Sequence, residues 1–454
     1  MNERRTASGT LNVRVLLSVV FILGVILTMG PASLVRPVST TAQEEASFPP
    51  EGDWYTYANG DDILVLELEG DILWAGTRAG GLVRWNTTDG TFIQFLKPQD
   101  PLLGNSVRDI YIDANGHKWL ATDYGLSVLD DKGTPDKTDD DWYAYTRETT
   151  NGNPSTGSGH GLPSDRVTAV AVDDSGFLWI GTSQYWDNEA MLDIGGDEPV
   201  LAQAYVGGGL VKVDTKGTLD PTDDEWLQTY TVANTADMSS CSQSELVLGL
   251  ASDNITDILP VAGDRIWVAT QKHFAFSAAN ANNACAFLLA NPNDPGRWVQ
   301  ILGGLSRLDH AGTPGTEDDT WRTWTCEEGP QRDAGVSCTI NHLKLDANGY
   351  VWAAMRSKGV IAFPYDGDRG LNYVRFDKFD GLASNDVESL AFGPPDDPQS
   401  QNTVWMGTYH ATSGYGRGVS VLDHNGTIRN KDDDKWNDRN QNPIPGSPIT
   451  TENG

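Results

Sequence analysis

The stretch Val167-Thr168-Ala169-Val170-Ala171-Val172-Asp173-Asp174-Ser175-Gly176-Phe177-Leu178-Trp179-Ile180-Gly181-Thr182 decides the fold. Its first six residues are an apolar, β-branched run of strand type. Asp-Asp-Ser-Gly then supplies turn residues, and glycine provides the positive φ that a tight hairpin needs. A second strand follows, centred on Trp179 and ending in small residues. The same Trp unit recurs at Ile72–Thr77, Trp119–Thr122, Ile266–Thr270, Val351–Ala354 and Val404–Thr408, six copies in all. Further copies of the preceding run and turn are Val107–Gly116 and Ile340–Gly349.

Downstream of each Trp a glycine opens a third apolar strand, at Gly81, Gly125, Gly209, Gly304, Gly359 and Gly418. A fourth, aromatic strand follows at Phe92–Phe95, Trp142–Tyr145, Trp226–Tyr230, Trp321–Trp324 and Val374–Phe379. Four antiparallel strands repeated in series predict an all-β fold, a β-propeller of six recognisable blades. The repeated tryptophans are expected to pack between blades as core, each burying some 150–250 Å².

These motifs resemble the two-component regulator propeller family. Its pattern is a Gly-Leu linker, an apolar strand, an Asp-x-x-Gly turn, a Trp-x-Gly-Thr strand and Gly-Gly-Leu. Here it stands as Gly161-Leu162-Pro163-Ser164-Asp165, Val167–Val172, Asp173–Gly176, Trp179–Thr182 and Gly208-Gly209-Leu210, and Gly381-Leu382 opens another copy. The resemblance covers roughly residues 53–436. It implies an extracytoplasmic, ligand-binding sensor propeller, the non-catalytic sensing part of a two-component-type signalling protein. No kinase or receiver module stands in these 454 residues, so output would need a signalling partner chain. Similar repeats also occur in exported carbohydrate-active and lyase-type enzymes. An enzyme of that kind, or a cell-surface protein-interaction propeller, is the alternative reading.

The ends carry their own expectations. Arg4, Arg5 and Arg14 precede an uncharged apolar run, Val15–Met29, which reads as a signal peptide or signal anchor over residues 1–42. Residues 43–52 read as a linker and 53–436 as the propeller. Residues 437–454 read as a linker toward a further blade. Trp54-Tyr55-Thr56-Tyr57 resembles an outermost strand without its blade. It either closes a seven-bladed ring or supplements the sixth blade, and the seven-bladed ring is favoured. Export suits the four cysteines, Cys241, Cys285, Cys326 and Cys338. Of three pairings, Cys326–Cys338 and Cys241–Cys285 close the shorter loops.

The chain has 32 Lys+Arg against 63 Asp+Glu, a formal charge of −31. That excludes electrostatic binding to nucleic acid or to anionic lipid, and leaves membrane contact to an uncleaved N-terminus. No phosphate-binding loop, dinucleotide fingerprint or nucleophile elbow is present, and the seven histidines are scattered.

Two loop families remain. From Trp to the glycine of strand three most copies take six or seven positions, but the third runs from 179 to 209 and the fourth from 267 to 304. Strand order puts both insertions on one face with the inter-blade linkers. They and the sixth copy offer Tyr185, Trp186, Asp187, His273, Phe274, Trp298, Tyr409 and His410 as a site for a carbohydrate or other small polar ligand. The opposite face repeats acidic turns: Asp130 with Asp139 and Asp140, Asp214 with Asp223 and Asp224, Asp309 with Asp318 and Asp319. Such hard oxygen ligands could hold Ca²⁺, although Asp and Gly also simply make turns. No other cofactor is expected.

Overall fold

The computed structural model describes residues 63–151, 161–192, 200–236, 249–277, 297–326, 333–367, 371–393, 397, 400–409 and 416–436. The N-terminal segment 1–42, the strand-like Trp54–Tyr57, Cys241, Cys285, His410 and residues 437–454 lie outside them.

Among the described residues six sheets of four antiparallel strands form the propeller, each a meander in chain order. Blade 1 is Ile63–Glu69, Ile72–Thr77, Leu82–Asn86 and Phe92–Phe95; blade 2 is Val107–Ile112, Lys118–Thr122, Gly125–Asp130 and Asp141–Tyr145. Blade 3 is Val167–Val172, Leu178–Leu192, Val200–Asp214 and Glu225–Tyr230. Blade 4 is Asn254–Val261, Arg265–Gln271, Gly304–Asp309 and Thr320–Thr325. Blade 5 is Ile340–Leu345, Tyr350–Met355, Gly359–Pro364 and Val374–Phe376, and blade 6 is Asp386–Phe392, Thr403–Tyr409, Gly416–Asp423 and Lys435–Trp436. The first strand of each blade lies innermost.

Each part of the repeat makes a specific bond. The turn aspartate takes the indole N–H six residues on: Trp119 Nε1 donates to Asp113 Oδ2 at 3.2 Å, Trp179 to Asp173 at 2.7 Å and Trp352 to Asp346 at 2.9 Å. The same carboxylate accepts backbone N–H groups of its own turn, as Asp346 does from Asn348 and Tyr350. The threonine closing the Trp strand donates to the carbonyl of the glycine opening strand three: Thr77 to Gly81, Thr122 to Gly125, Thr182 to Gly209, Thr270 to Gly304 and Thr408 to Gly418. Gly125 has φ +122°, and a Cβ there would stand 2.4 Å from the Tyr145 carbonyl. Gly176 has φ +87° in its hairpin turn.

In five blades the indole stacks on the aromatic that closes strand four. The ring pairs are Trp74–Phe95, Trp119–Tyr145, Trp179–Tyr230, Trp267–Trp324 and Trp352–Phe376, 5.3–6.3 Å apart and within 25° of parallel. Each pair faces the aliphatic side of the next blade, giving five apolar clusters between consecutive blades. The expectation of six wedged tryptophans is corrected at one copy: Trp405 of blade 6 is only half-buried. Strand four of blade 5 also ends earlier than expected, at Phe376. A turn in which the Asp377 carboxylate takes the Phe379 N–H leaves Phe379 exposed.

Cys326, just past the outer strand of blade 4, and Cys338 form a disulfide within the linker into blade 5. In the chain-entropy account, closing a loop of this size stabilises by ~3 kcal/mol.

Asp346→Ala removes the acceptor of a buried indole N–H and two turn bonds. It should cost about 1–3 kcal/mol, read as a lower denaturant midpoint. Asp346→Asn, which retains one acceptor oxygen, should lose less.

Candidate functional site

The long insertions of blades 3 and 4 are extended β-arms. In blade 3 strands two and three run on past the sheet, pairing Tyr185 with Val206, Trp186 with Tyr205 and Asp187 with Ala204. In blade 4 the insertion forms its own hairpin, His273–Ser277 against Arg297–Ile301, in which Phe276 pairs with Trp298. The side chain of Gln184 joins the arms. Its Nε2 donates to the Phe274 carbonyl at 3.0 Å, and its Oε1 accepts the Phe274 N–H at 3.1 Å. Beside this clamp three rings converge. Trp186 meets Tyr205 edge-on at 4.9 Å, and Tyr205 stacks on Phe274 at 5.1 Å. Trp186 and Tyr205 are exposed. The Arg147 guanidinium donates to the Tyr185 hydroxyl and lies 5.6 Å from its ring.

Of the residues singled out from sequence, Tyr185, Trp186, Asp187 and Phe274 therefore lie on the joined arms. His273 is placed differently, fully buried with its Nδ1 2.7 Å from Ser252 Oγ. Burial pushes its pKa down to about 3, so it is neutral. Tyr409 is half-buried at the end of its strand in blade 6, paired with Asp386. Sequence reasoning missed Tyr205, which sits opposite Trp186 on the returning strand. It also missed the exposed rings of Tyr124 and Phe379. Both occupy the loop types that strand order assigns to the face of the arms.

The inner strands enclose a cavity of about 520 Å³. Glu67, Asp109, Asp257, Glu388, Arg108 and Lys344 contribute its charges. Equivalent positions along successive inner strands staple blade to blade. Asp109 Oδ2 accepts from Val170 N at 2.8 Å, Asp257 Oδ2 from Leu343 N at 2.6 Å, and His342 Nδ1 from Leu390 N at 2.9 Å. Burial raises Asp109 to about 6, with Glu67 adding to it, and raises Asp257 well above its usual range, with Asp109 adding to it. Burial, with Lys344 nearby, lowers His342 to about 4. Such a lining suits a hydroxyl-rich or cationic small molecule.

The acidic turns are engaged within the fold. Thr134 Oγ1 donates to Asp139, Thr218 to Asp223 and Thr313 to Asp318. Asp130 pairs with Lys132, Asp214 with Lys216 and Asp309 with Arg307. The second acid of each pair turns inward: Tyr230 of blade 3 donates its hydroxyl to Asp319 of blade 4 at 2.7 Å. Burial raises Asp140 and Asp224 to about 6, and neighbouring carboxylates add to it. Among the described residues no group of three or more His, Cys, Asp or Glu side chains is arranged to hold a metal ion.

A carboxyl whose pKa is higher folded than unfolded favours folding while protonated. Its stabilising effect is present below about 4 and is lost as pH rises through about 6. Asp224→Asn should therefore raise the melting temperature at pH 7, and the gain should shrink as pH falls from 6 toward 4. Paired thermal melts across that range check this.

Residues 161–184 match the model of the two component regulator propeller repeat. A 71-residue stretch is 35% identical to Histidine kinase P4 of Formosa agariphila, covering 15% of this chain and 5% of that protein. Among solved structures, the chain is similar to PorZ, a surface component of the type-IX secretion system of Porphyromonas gingivalis: 14% identity, 79% of this chain, 38% of that one, TM-score 0.40. It is also similar to the extracellular domain of BT4673 from B. thetaiotaomicron, assigned to a hybrid two component system: 14% identity, 81% of this chain, 42% of that one, TM-score 0.27. The chain thus spans well under half of each of these relatives. With the motif of residues 161–184 recurring through six structurally equivalent blades, this chain carries the two component regulator propeller repeat.

Proposed function

We propose that the chain is an extracytoplasmic ligand-binding propeller, the sensing part of a two-component-type signalling system, acting without catalysis. One observation carries this reading. Two insertions from different blades, remote in sequence, are clamped together by Gln184 and present the exposed cluster Trp186–Tyr205–Phe274 on a rigid scaffold. Exposed aromatic rings fit the apolar faces of a sugar. A binding platform on rigid β-arms loses little entropy when occupied. The Cys326–Cys338 disulfide supports an oxidising, exported setting, and the short stretch of likeness to a histidine kinase supports the signalling context. The six blades are part of a seven-bladed ring in this reading.

The test is a glycan array, followed by calorimetry on the best oligosaccharide. Trp186→Ala and Phe274→Ala should each weaken binding at least about tenfold, ~1.4 kcal/mol, with the melting temperature nearly unchanged. Retained affinity in both variants would remove the arms from the site. Release of new reducing ends during incubation would turn the reading toward an enzyme.

A further inference from the structure

On the face opposite the arms, the first hairpin turn of one blade meets the loop between strands three and four of the next. Two of these meetings share one spacing: residues 173–179 with 309–313 in blades 3 and 4, and residues 346–352 with 423–427 in blades 5 and 6. Between blades 3 and 4 the two loops abut, and a Cβ at Gly312 would stand 2.8 Å from Ser175 Oγ. Lys212 fills the space behind them. It pairs with Trp179, lies 4.5 Å from the Phe177 ring and donates to the Thr313 carbonyl.

Between blades 5 and 6 both features are missing. Ala362 pairs with Trp352 where Lys212 pairs with Trp179. The blade 6 loop is one residue longer, Thr427 to Asp433 against Thr313 to Asp318. A Cβ at Gly426 would find its nearest neighbour 3.6 Å away, in Asn402 of its own blade. A cavity of about 380 Å³ opens between the loops. Tyr350 and Thr427, the equivalents of Phe177 and Thr313, line it with Asn348, Ile428, Arg429 and Asn430.

Arg429 decides the chemistry of this cavity. Its guanidinium donates to the Asn372 carbonyl at 2.8 Å and to the Asn372 side-chain oxygen at 3.4 Å, both neutral partners. The lysines of the same loop family each pair with a carboxylate: Lys132 with Asp130, Lys137 with Asp100, Lys216 with Asp214 and Lys431 with Asp380. Among the described residues Arg429 pairs with none. Its charge and its other N–H groups remain for an anion, and a guanidinium takes a carboxylate through forked hydrogen bonds. The Asn348 amide and the Tyr350 hydroxyl are hydroxyl-bonding groups on the same lining. Ile428, buried in the apolar cluster with Trp352, adds an apolar wall.

We infer that this cavity is a second ligand site, for a small hydroxylated carboxylate, either a free sugar acid or a uronate unit of a glycan. Arg429 takes the carboxylate, and Asn348 and Tyr350 take hydroxyls. The site lies on the face opposite the arms and does not rest on the reading given to them.

The test is calorimetric titration of the full chain with galacturonate, gluconate and glucose. Both acids should bind at least about tenfold more tightly than glucose. They should bind the Trp186→Ala protein equally well, which separates this site from the arms. Arg429→Gln should weaken both acids at least about tenfold. Because Arg429 also ties its loop to Asn372, a second variant leaves it in place. Asn348→Trp, at an exposed turn position, fills the cavity and should abolish binding while the melting temperature stays within about 2 °C. The inference is overturned if neither acid binds at about 10 mM, if glucose binds as tightly as the acids, or if Asn348→Trp keeps full affinity. Loss of acid binding in Trp186→Ala overturns it as well, by moving the acids to the arms.

Discussion

The structure depends on an indole held edge and face between two sheets. In three blades the Trp N–H is fixed by the aspartate of the hairpin turn, and in five its ring is stacked on the aromatic of strand four. A tryptophan is large enough to fill the widening gap between radiating blades, and its polar edge must find a partner when buried. That requirement explains why acid, glycine and tryptophan recur at constant spacing. The threonine and glycine that follow complete the same device. The threonine hydroxyl bond ties strand two to strand three at the end where the chain reverses, and the glycine leaves room for the strand-four carbonyl.

Blades are also stitched along the axis. Asp109, Asp257 and His342 each accept an N–H of the next inner strand, so the cavity lining is partly structural. The carboxylates left near neutrality by burial reflect that placement. Their oxygens hold neighbouring backbones and leave only part of their capacity for a ligand. On the outer ends of the blades the paired aspartates divide labour. One oxygen-rich group closes its own turn through threonine, and the next leans toward the preceding blade, as Asp319 does toward Tyr230.

Such a scaffold leaves its loops free of the work of holding the core together. Among the described residues blades 3 and 4 extend theirs, and Gln184 locks the two extensions into one unit. The ring cluster therefore sits on strands rather than on irregular loop, which preorganises it.

Six four-stranded blades, their strand order and the wedging of five of the six tryptophans were legible in the sequence, because each motif satisfies local bonds at short, fixed separations. Asp113 to Trp119 is six residues, and Thr122 to Gly125 is three. The candidate site was legible only in part. Trp186 and Phe274 stood out as loop aromatics, but Tyr205 becomes their neighbour through strand register, and His273 turns inward to Ser252. The staple from Asp109 to Val170 and the clamp from Gln184 to Phe274 join residues far apart in the chain. Their pairing is set by how whole blades meet, and composition or spacing carries no trace of it. The repeat thus wrote its own local geometry into the sequence, while the curvature of the assembly decided which faces met and which stayed bare.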